Sequence, residues 1–570
     1  MRYIYSRVVV AVALLVASCT MAYAQESKRV EISTTYRPEV AQATKLMAPT
    51  TIEDVPVINP EIEYNVVPQT WQVSLETEDY EPIVMYNYDF KRAKPLYAKL
   101  GVGYSLASDA ALRYAVQNKR VGYFGVSLDH RANFQRHTNS LGMLRSIADS
   151  YDMNNGATLG GGVYVGRALF EATATYNNDI YNRYAELLDD PSRVIFHDAA
   201  LSLRFGDEFV DLSHFNFSLE ARGGYWSHLL PVPSSSGVES LDEFSGGALF
   251  RLARNVGKGV IGLNAGYDMW QSSAIEYMNT RWSLGVEYMW RWGIANFEFG
   301  VSYKYDYIKN LSAEAYNPHR VLPRLKISLD VEKASLVPYL EVATNMSQNS
   351  VASLYRQNPY IDFDAIAERV GVMLNSTSYD MSVGLDGSLL ARRFTYRAYA
   401  GVNLQRNQTF WYVNREGTFG VVTGDNDRLF WGVELGVRPI NNLRLSAGYK
   451  GHSDSIDANT PYCTSEAKFM VDFSAEYSYK RWKFQLSTDV IGPRVWCWEA
   501  NEGEIKAAEA IATPTSVDLG VGVSYAIKDC AEVYLNGYNL LNNSGLKTMY
   551  DYAFYDDSGI GFMCGVKLNF

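Results

Sequence analysis

The last eleven residues of the chain alternate, with a strict period of two, between apolar side chains and a second set made up mostly of small or polar ones. The first set is Ile560, Phe562, Cys564, Val566, Leu568 and Phe570, and the second is Gly561, Met563, Gly565, Lys567 and Asn569. This alternation predicts a β-strand with one face in an apolar medium and the other facing something small or wet. Tilted strands of roughly 9–11 residues cross the hydrocarbon of a membrane. Residues 560–570 are therefore predicted to be the closing strand of a transmembrane β-barrel.

The same alternation recurs along the chain after Tyr97. Its clearest examples are Arg324–Glu332, Phe469–Tyr477, Trp482–Ile491 and Val517–Tyr525. One amphipathic strand is compatible with a half-buried sheet, but so many in series cannot all fit an ordinary soluble core. After the first 24 residues, no segment approaches the ~18 uninterrupted apolar residues that a membrane-spanning helix requires. Any crossing of a membrane is therefore predicted to use strands.

The connections between the predicted strands alternate between short and long. Short ones include 255–258, 291–293, 391–393 and 479–481, and long ones include 131–156, 346–378, 406–428 and 492–514. Outer-membrane barrels have short periplasmic turns and longer outer loops. On this scheme, residues 96–570 are predicted to form an all-β, antiparallel transmembrane β-barrel of about 22 strands, within a range of about 18–22.

Aromatic residues cluster beside the predicted short turns. They are Trp290, Trp292, Tyr477, Tyr479, Trp482 and Tyr525. Rings with an apolar body and a polar tip favour the lipid–water boundary, which predicts an aromatic girdle at the periplasmic interface. Aromatic residues are also common at strand ends in general, which is the alternative explanation.

The first 24 residues have the features of a secretory signal peptide. A basic head precedes the apolar run Val8–Ala17, and Ala22-Tyr23-Ala24 offers a cleavage site before Gln25. A second interpretation is a lipoprotein box that ends at Cys19, with that cysteine lipidated. Both interpretations predict export.

Residues 25–95 differ in composition from the rest of the chain. They contain seven of the 18 prolines, which are Pro38, Pro49, Pro56, Pro60, Pro68, Pro82 and Pro95. Because proline restricts φ and lacks a backbone amide, no long helix or inner strand can run between these positions. We therefore predict an extended, irregular segment that lies in the periplasm or inside the barrel lumen.

The sequence carries no recognisable catalytic or metal-binding motif. Its seven histidines occur without a His-Glu-x-x-His pattern, and neither Gly-x-Ser-x-Gly nor Cys-x-x-Cys is present. The run Gly160–Gly162 lies in a strand-like stretch with no following helix, so its glycines are expected to make room on the lumen face. A formal net charge of -11 argues against nucleic acid as a partner. The protein is predicted not to be an enzyme and to have no cofactor.

The C-terminal part of the chain resembles the end of the barrels of TonB-dependent receptors. The similar residues are Tyr538-Asn539-Leu540-Leu541-Asn542, which look like that family's Asn-Leu-x-Asn closing motif, followed by Tyr550, Tyr552, Gly561, Gly565 and Phe570. The resemblance implies a 22-stranded barrel in the outer membrane that takes up a solute. It also implies that Phe570 is the membrane-insertion signal, the terminal aromatic residue that the outer-membrane insertion machinery recognises. Near the predicted mature N-terminus, Val30-Glu31-Ile32 resembles a degenerate TonB-contact box.

One departure from this family bears on transport. The family carries an N-terminal plug domain about twice as long as residues 25–95, and no stretch of the sequence matches it. Because a barrel of about 22 strands needs its lumen filled, something must close it. We hypothesise a transporter or channel that is constricted by residues 25–95 and by infolded loops such as 346–378. The alternative is a non-transporting scaffold or accessory subunit of an outer-membrane assembly, sealed by a periplasmic or outer-membrane protein partner.

Aromatic residues in the predicted outer loops are the candidates for contact with a ligand or partner. Trp411 and Tyr412 lie in one long loop, and Trp496 and Trp498 lie in a neighbouring one. Exposed rings of this kind stack on sugars or anchor protein partners. The alternative is that the loops pack against each other.

Four cysteines follow Gln25, all of them after residue 460. Cys463 and Cys497 fall in neighbouring predicted outer loops, and the sequence permits a disulfide between them. Cys530 and Cys564 lie on adjacent predicted strands at heights that differ by about 20 Å, so they are not expected to pair.

Overall fold

The structure is a computed structural model. It describes residues 94–104, 107–118, 121–133, 136–137, 148–149, 152–183, 192–229, 239–273, 277–310, 313–316, 318–330, 336–358, 361, 374–390, 392–413, 419–456, 466–501, 504–512, 515–541 and 560–570. The predicted signal peptide with Cys19, the segment 25–93, Cys463 and Asn542 lie outside these residues. So do the side chains of Trp496, Cys497 and Trp498, for which the backbone alone is described.

The described residues form 27 strands and one short helix, α1 (Val351–Gln357). The strands are β1 Leu96–Gly103, β2 Ser108–Asn118, β3 Gly122–Asn133, β4 Arg136–His137, β5 Ala148–Asp149, β6 Asp152–Val165, β7 Ala168–Arg183, β8 Ser192–Gly206, β9 Asn216–Leu229, β10 Ser240–Val256, β11 Gly259–Ser272, β12 Tyr277–Trp292, β13 Ala295–Asn310, β14 Ala313–Tyr316, β15 His319–Leu329, β16 Leu336–Ser347, β17 Ser376–Leu389, β18 Phe394–Val413, β19 Phe419–Ile440, β20 Leu443–Ile456, β21 Phe469–Tyr479, β22 Trp482–Ile491, β23 Val495–Asn501, β24 Glu504–Ala512, β25 Ser516–Lys528, β26 Ala531–Tyr538 and β27 Gly561–Asn569. Among these residues, no helix is both long and apolar enough to cross a bilayer.

Twenty-two of the strands close into one antiparallel barrel, as predicted. The other five, β4, β5, β14, β23 and β24, lie in the long connections between barrel strands. Three barrel strands that the sequence marks weakly, β2, β11 and β16, are all present and pair with both neighbours, although β16 pairs with β15 only from Tyr339 to Val342. The upper end of the predicted range of strand numbers is therefore correct.

The barrel closes where β27 pairs with β1, from Tyr97 opposite Asn569 to Gly103 opposite Met563. Beyond the last strand residue, the Phe570 amide donates to the Leu96 carbonyl at 2.8 Å, and the Leu96 amide donates to the Phe570 carbonyl at 3.1 Å. The predicted closing strand thus forms the last ladder of the barrel. This ladder leaves no free sheet edge in the ring.

Close packing on the inside of this seam requires glycine. The Tyr534 side chain of β26 lies across Gly565 of β27 and Gly101 of β1, and a Cβ added at either glycine would overlap the tyrosine ring or hydroxyl. The amines of Lys99 and Lys567 lie 5.8 and 5.0 Å from the centre of the same ring. Glycine therefore makes room for Tyr534 on the lumen face of the seam.

The two faces of the wall differ in chemistry. Outward side chains are apolar and exposed, such as Leu284 at 59% and Val301 at 54%. Inward side chains of the same strands include the charged Arg281, Glu298 and Lys304, which alternate with the outward ones along the backbone. A continuous apolar outer surface is stable only in a nonpolar solvent, so the outer face is the lipid-facing face.

Aromatic rings border the apolar surface at the end that carries the short turns, as predicted. Trp290 stacks on Phe297 with ring centres 4.5 Å apart, and the Trp482 and Tyr525 ring centres are 4.7 Å apart. Trp292 is 74% exposed. Rings at this height anchor the barrel at the interface between lipid and water.

The turns at this end are short, and the connections at the other end are mostly long. Short turns connect β10 to β11, β12 to β13, β19 to β20 and β21 to β22 at 257–258, 293–294, 441–442 and 480–481. By the rule that short turns of such barrels face the periplasm, the other rim is the outer mouth of the barrel.

Three of the predicted outer loops contain more regular structure than expected. Much of 406–428 belongs to strands, because β18 continues to Val413 and β19 begins at Phe419. The connection 492–514 contains the hairpin of β23 and β24, and 346–378 contains α1. Above the membrane, no hydrocarbon requires apolar and polar side chains to alternate. The run Phe410-Trp411-Tyr412 lacks this alternation, so its sequence does not predict the strand that it forms.

We predict that Val521→Arg destabilises the barrel by about 2–4 kcal/mol, because the guanidinium would lie in hydrocarbon near the bilayer midplane. Val521 is 38% exposed on the lipid face, with Leu486 and Gly537 opposite it on the two neighbouring strands. The measurement is urea unfolding in lipid vesicles, followed by the folded band on unheated gels.

Gln485→Arg is the matched control, because Gln485 is exposed on the lumen face of β22 opposite Glu476. Its stability should stay close to that of the wild type. Equal unfolding curves for Val521→Arg and Gln485→Arg would contradict the assignment of the lipid face.

Candidate functional site

At the outer mouth, the connection between β16 and β17 turns inward and packs α1 against the inside of the barrel wall. Tyr355 of α1 is fully buried, and its ring centre lies 4.8 Å from the His228 ring centre and 5.8 Å from the Trp226 ring centre. Trp226 and His228 are on the lumen face of β9, and Phe196, at 6.4 Å, is on the lumen face of β8. The helix therefore occupies space inside the mouth.

Local interactions begin the helix, and a distant carboxylate stabilises its first turn. The Ser350 hydroxyl accepts a hydrogen bond from the Ser353 amide, and the Ser353 hydroxyl accepts one from the Ser350 amide, which together form a capping box. Glu243 of β10 accepts a hydrogen bond from the Ala352 amide at 3.1 Å, across 109 residues of sequence. A carboxylate at a helix N-terminus is also favoured by the helix dipole. Glu243 thus ties the start of α1 to the barrel wall.

Side-chain hydrogen bonds tie together the two ends of this connection. The Asn349 amide nitrogen donates to the Leu374 carbonyl at 2.7 Å and to the Ser376 hydroxyl at 2.9 Å. The Ser376 hydroxyl in turn donates to the Asn407 carbonyl of β18 at 2.6 Å. The connection therefore leaves and re-enters the wall at one polar junction.

A buried ionic network fixes the second of these ends to β12 and β13. Arg281 Nε donates to Asp306 Oδ1 at 2.9 Å, and these side chains are 7% and 0% exposed. Asn375 donates to the other Asp306 oxygen at 2.7 Å and accepts from Asn279 at 2.9 Å. The hydrogen bonds from two donors replace those that a buried carboxylate would otherwise make with water. The network holds Asn375 against the lumen wall.

The hairpin of β18 and β19 is the second feature of the mouth. Its backbone pairs in parallel with two other connections, Val413 with Trp498 of β23 and Phe419 with Ile361. Phe419 and Ile361 are both buried. The hairpin thus joins the connection that carries α1 to the connection that carries β23 and β24.

The structure brings the backbones of the predicted aromatic candidates together. Trp411 and Tyr412 are 2% and 1% exposed, and the Tyr412 ring lies across Gly420 of β19. Their burial agrees with the alternative in which the outer loops pack against each other. Contact of these two rings with a ligand or partner remains a prediction that would require the loops to separate. The side chains of Trp496 and Trp498, and both cysteines of the predicted Cys463–Cys497 disulfide, lie outside the described side chains.

The remaining predicted residues lie away from the mouth. Cys530 is a free thiol in the periplasmic turn between β25 and β26, and Cys564 is a free, exposed thiol on β27. Phe570 follows β27 at the periplasmic rim.

The lumen wall below the mouth is lined with ion pairs. The shorter ones include Lys99–Asp109 at 2.6 Å, Lys483–Glu476 at 3.1 Å and Lys326–Glu341 at 3.2 Å. All of these side chains are at least partly accessible to solvent. A lumen with this lining is suited to water and polar solutes.

Sequence patterns do not single out the residues that hold the connection in place. Glu243, Asp306 and Asn375 look like ordinary polar positions of alternating strands and loops. Asparagine or serine beside both ends of a long loop, here Asn349 and Asn375, is the only signal that could have suggested a junction.

No family model and no curated protein matches the sequence. Solved structures do match. The FrpB iron transporter from Neisseria meningitidis superimposes with a TM-score of 0.66 at 9% identity, over 84% of this chain and 82% of the other. The ferripyoverdine receptor of the outer membrane of Pseudomonas aeruginosa superimposes with a TM-score of 0.62 at 10% identity, over 84% of this chain and 72% of the receptor. The ferric-catecholate import receptor Fiu from E. coli K12 superimposes with a TM-score of 0.60 at 8% identity, over 84% of this chain and 82% of the receptor.

The chain shares the barrel fold of these receptors. At these identities the likeness establishes the fold alone. The resemblance to TonB-dependent receptor barrels, seen in the C-terminal residues, is thus confirmed at the level of the fold.

We predict that Tyr355→Ala releases α1 from the wall, because removing a fully buried aromatic ring costs about 3–5 kcal/mol. Hydrogen exchange of the amides of 351–357 should accelerate strongly while the barrel strands keep their protection. Arg356→Gln is the control, because the Arg356–Asp198 pair is partly exposed and contributes less than about 1 kcal/mol. Equal exchange in both variants would show that the aromatic contacts do not hold the helix.

Proposed function

We propose that the protein is an integral outer-membrane barrel through which a solute enters the cell, with α1 narrowing the outer mouth. The lipid-facing outer surface and the charged lumen support passage of polar solutes. The structural neighbours are an iron transporter, a ferric-catecholate import receptor and a ferripyoverdine receptor. They favour uptake of a solute in general terms and do not identify it.

The packing of α1 inside the mouth is the observation that carries this proposal. A barrel of 22 strands encloses a lumen wide enough to require filling. An outer segment held inside the wall by Tyr355, Glu243 and the Asp306 network narrows the route. A scaffold sealed by a partner has no need for such a constriction.

We also propose roles for both ends of the chain and for the outer aromatic residues. Residues 1–24 direct export and are removed, and residues 25–95 lie in the periplasm or the lumen. Phe570 is read by the outer-membrane insertion machinery, and Trp496 and Trp498 contact a ligand or partner at the outer surface.

We expect the purified protein to conduct ions in planar bilayers. Tyr355→Ala should give larger or longer current steps than the wild type, because α1 no longer stays against the wall. Arg356→Gln should behave like the wild type.

The alternative function predicts a different set of results. A scaffold or accessory subunit would pass no current as wild type, as Tyr355→Ala or after deletion of residues 25–95. It would also bring down a stoichiometric protein companion from detergent extract. That combination would overturn the proposal of transport.

A further inference from the structure

Two cationic side chains lie directly opposite each other on the lumen wall just below the mouth. Lys304 of β13 pairs in register with Arg320 of β15, and on its other side it faces Ser283 of β12. Both cationic residues are half-buried. Like charges that are directly opposite across a sheet destabilise it unless a counter-charge is present.

Neither cation forms an ion pair with a carboxylate of the described residues, and Asp306 and Asp268 act on Lys304 only as charges at longer range. The Lys304 amine forms no ion pair or hydrogen bond with any residue that the structure describes. Within the same residues, Arg320 makes one long hydrogen bond, from Nη1 to the Asn375 carbonyl at 3.4 Å. Partial burial without a counter-ion is costly for both groups.

Arg281 adds a third cation next to Lys304. It lies on β12, diagonally across the ladder from Lys304, and its guanidinium carbon is 5.6 Å from the centre of the Trp270 ring. Its side chain is more than nine-tenths buried, and although Nε binds Asp306, Nη2 is buried with no partner among the described residues. A buried guanidinium nitrogen without an acceptor indicates a missing ligand or ordered water.

The nearby acids are already engaged. Asp306 accepts from Arg281 and Asn375, and Asp268 pairs with Arg222 of β9. Around Lys304, three cations, Arg281, Lys304 and Arg320, face two carboxylates, Asp306 and Asp268, and Asp268 is shared with Arg222. The local charge is positive although the chain as a whole carries a net charge of -11.

We propose that Lys304, Arg320 and Arg281 form a binding site for the carboxylate or phosphate group of an anionic solute. Lysine and arginine are the residues that bind such oxygens with charge-assisted hydrogen bonds. The site lies on the lumen face beside Asn375, where a solute that had passed α1 would meet it. This inference rests on the proposed function and assigns its solute to the class of oxyanions.

A competing occupant exists in the chain itself. The connection that carries α1 includes Asp362, Asp364 and Glu368, whose carboxylates have the chemistry that this site requires. A site filled by these residues would bind no solute. The experiment must therefore separate the two occupants.

The test is binding of inorganic phosphate to the full-length protein in detergent, measured by calorimetry in a buffer without other oxyanions. The wild type should bind phosphate, and Lys304→Gln and Arg320→Gln should each weaken binding at least about tenfold, through the loss of a charge-assisted hydrogen bond. Lys326→Gln is the matched control, because Lys326 is on the lumen face of the same strand as Arg320 and is paired with Glu341 at 3.2 Å. Its phosphate affinity should not change.

Stability without phosphate gives a second readout that loss of folding cannot imitate. Lys304→Gln removes a charge that repels Arg320, so its unfolding temperature should equal or exceed that of the wild type. A marked drop would show that Lys304 already has a counter-ion and would overturn the proposal. So would phosphate affinity that is the same in Lys304→Gln and the wild type.

The loop carboxylates are tested by a variant that carries Asp362→Asn, Asp364→Asn and Glu368→Gln. Phosphate binding that appears in this variant but not in the wild type would identify the loop as the occupant and overturn the solute site. Binding that is the same in both proteins supports the proposal.

Failure of the site and failure of transport give different results, because calorimetry in detergent does not require conduction. A protein that conducts but binds no phosphate overturns the anion site alone. A protein that binds phosphate through Lys304 and Arg320 but passes no current supports the site and overturns transport.

Discussion

The structure depends on the need to satisfy every backbone amide and carbonyl in hydrocarbon, where water cannot do so. A sheet meets this need only if it has no edge, so the pairing of β27 with β1 completes the barrel. This seam is built from short strands, β26, β27 and β1, which have eight, nine and eight residues. Gly101 and Gly565 let Tyr534 pack flat across the seam, and the Leu96 and Phe570 hydrogen bonds extend its ladder.

Closure in lipid sets the chemistry of the inner face. Because the outer face is apolar, charged side chains in the middle of the strands face the lumen, where they pair across neighbouring strands. At the outer mouth the same demand for pairing extends to a loop, since Asp306 takes hydrogen bonds from Arg281 of the wall and from Asn375 of the connection. The ionic wall is thus also what holds the connection in place, and aromatic packing of Tyr355 adds to it.

The strands in lipid could be predicted from the sequence, because hydrocarbon imposes a period of two on residues such as those of β22 and β27. The structure of the outer mouth could not be predicted from the sequence. In β18, Phe410, Trp411 and Tyr412 are consecutive buried residues, since both faces are covered where loops pack. The contacts of α1 are equally hidden, because Glu243 and Ala352 are 109 residues apart and Arg281 meets Asp306 only through strand register. Such contacts depend on three-dimensional pairing and leave no local pattern.

The connection and the cationic wall are physically joined at Asn375. Its side chain donates to Asp306, and its backbone carbonyl accepts from Arg320, which is one of the two cations without a carboxylate partner among the described residues. Movement of this end of the connection must break both hydrogen bonds, which would leave Arg320 with one contact fewer and Asp306 with a free oxygen. Asp306 lies two residues from Lys304 on the same face of β13, so its freed oxygen would lie near a cation that has no ion-pair partner among the described residues. The position of the outer connection and the hydrogen bonding of the charged lumen wall therefore depend on each other.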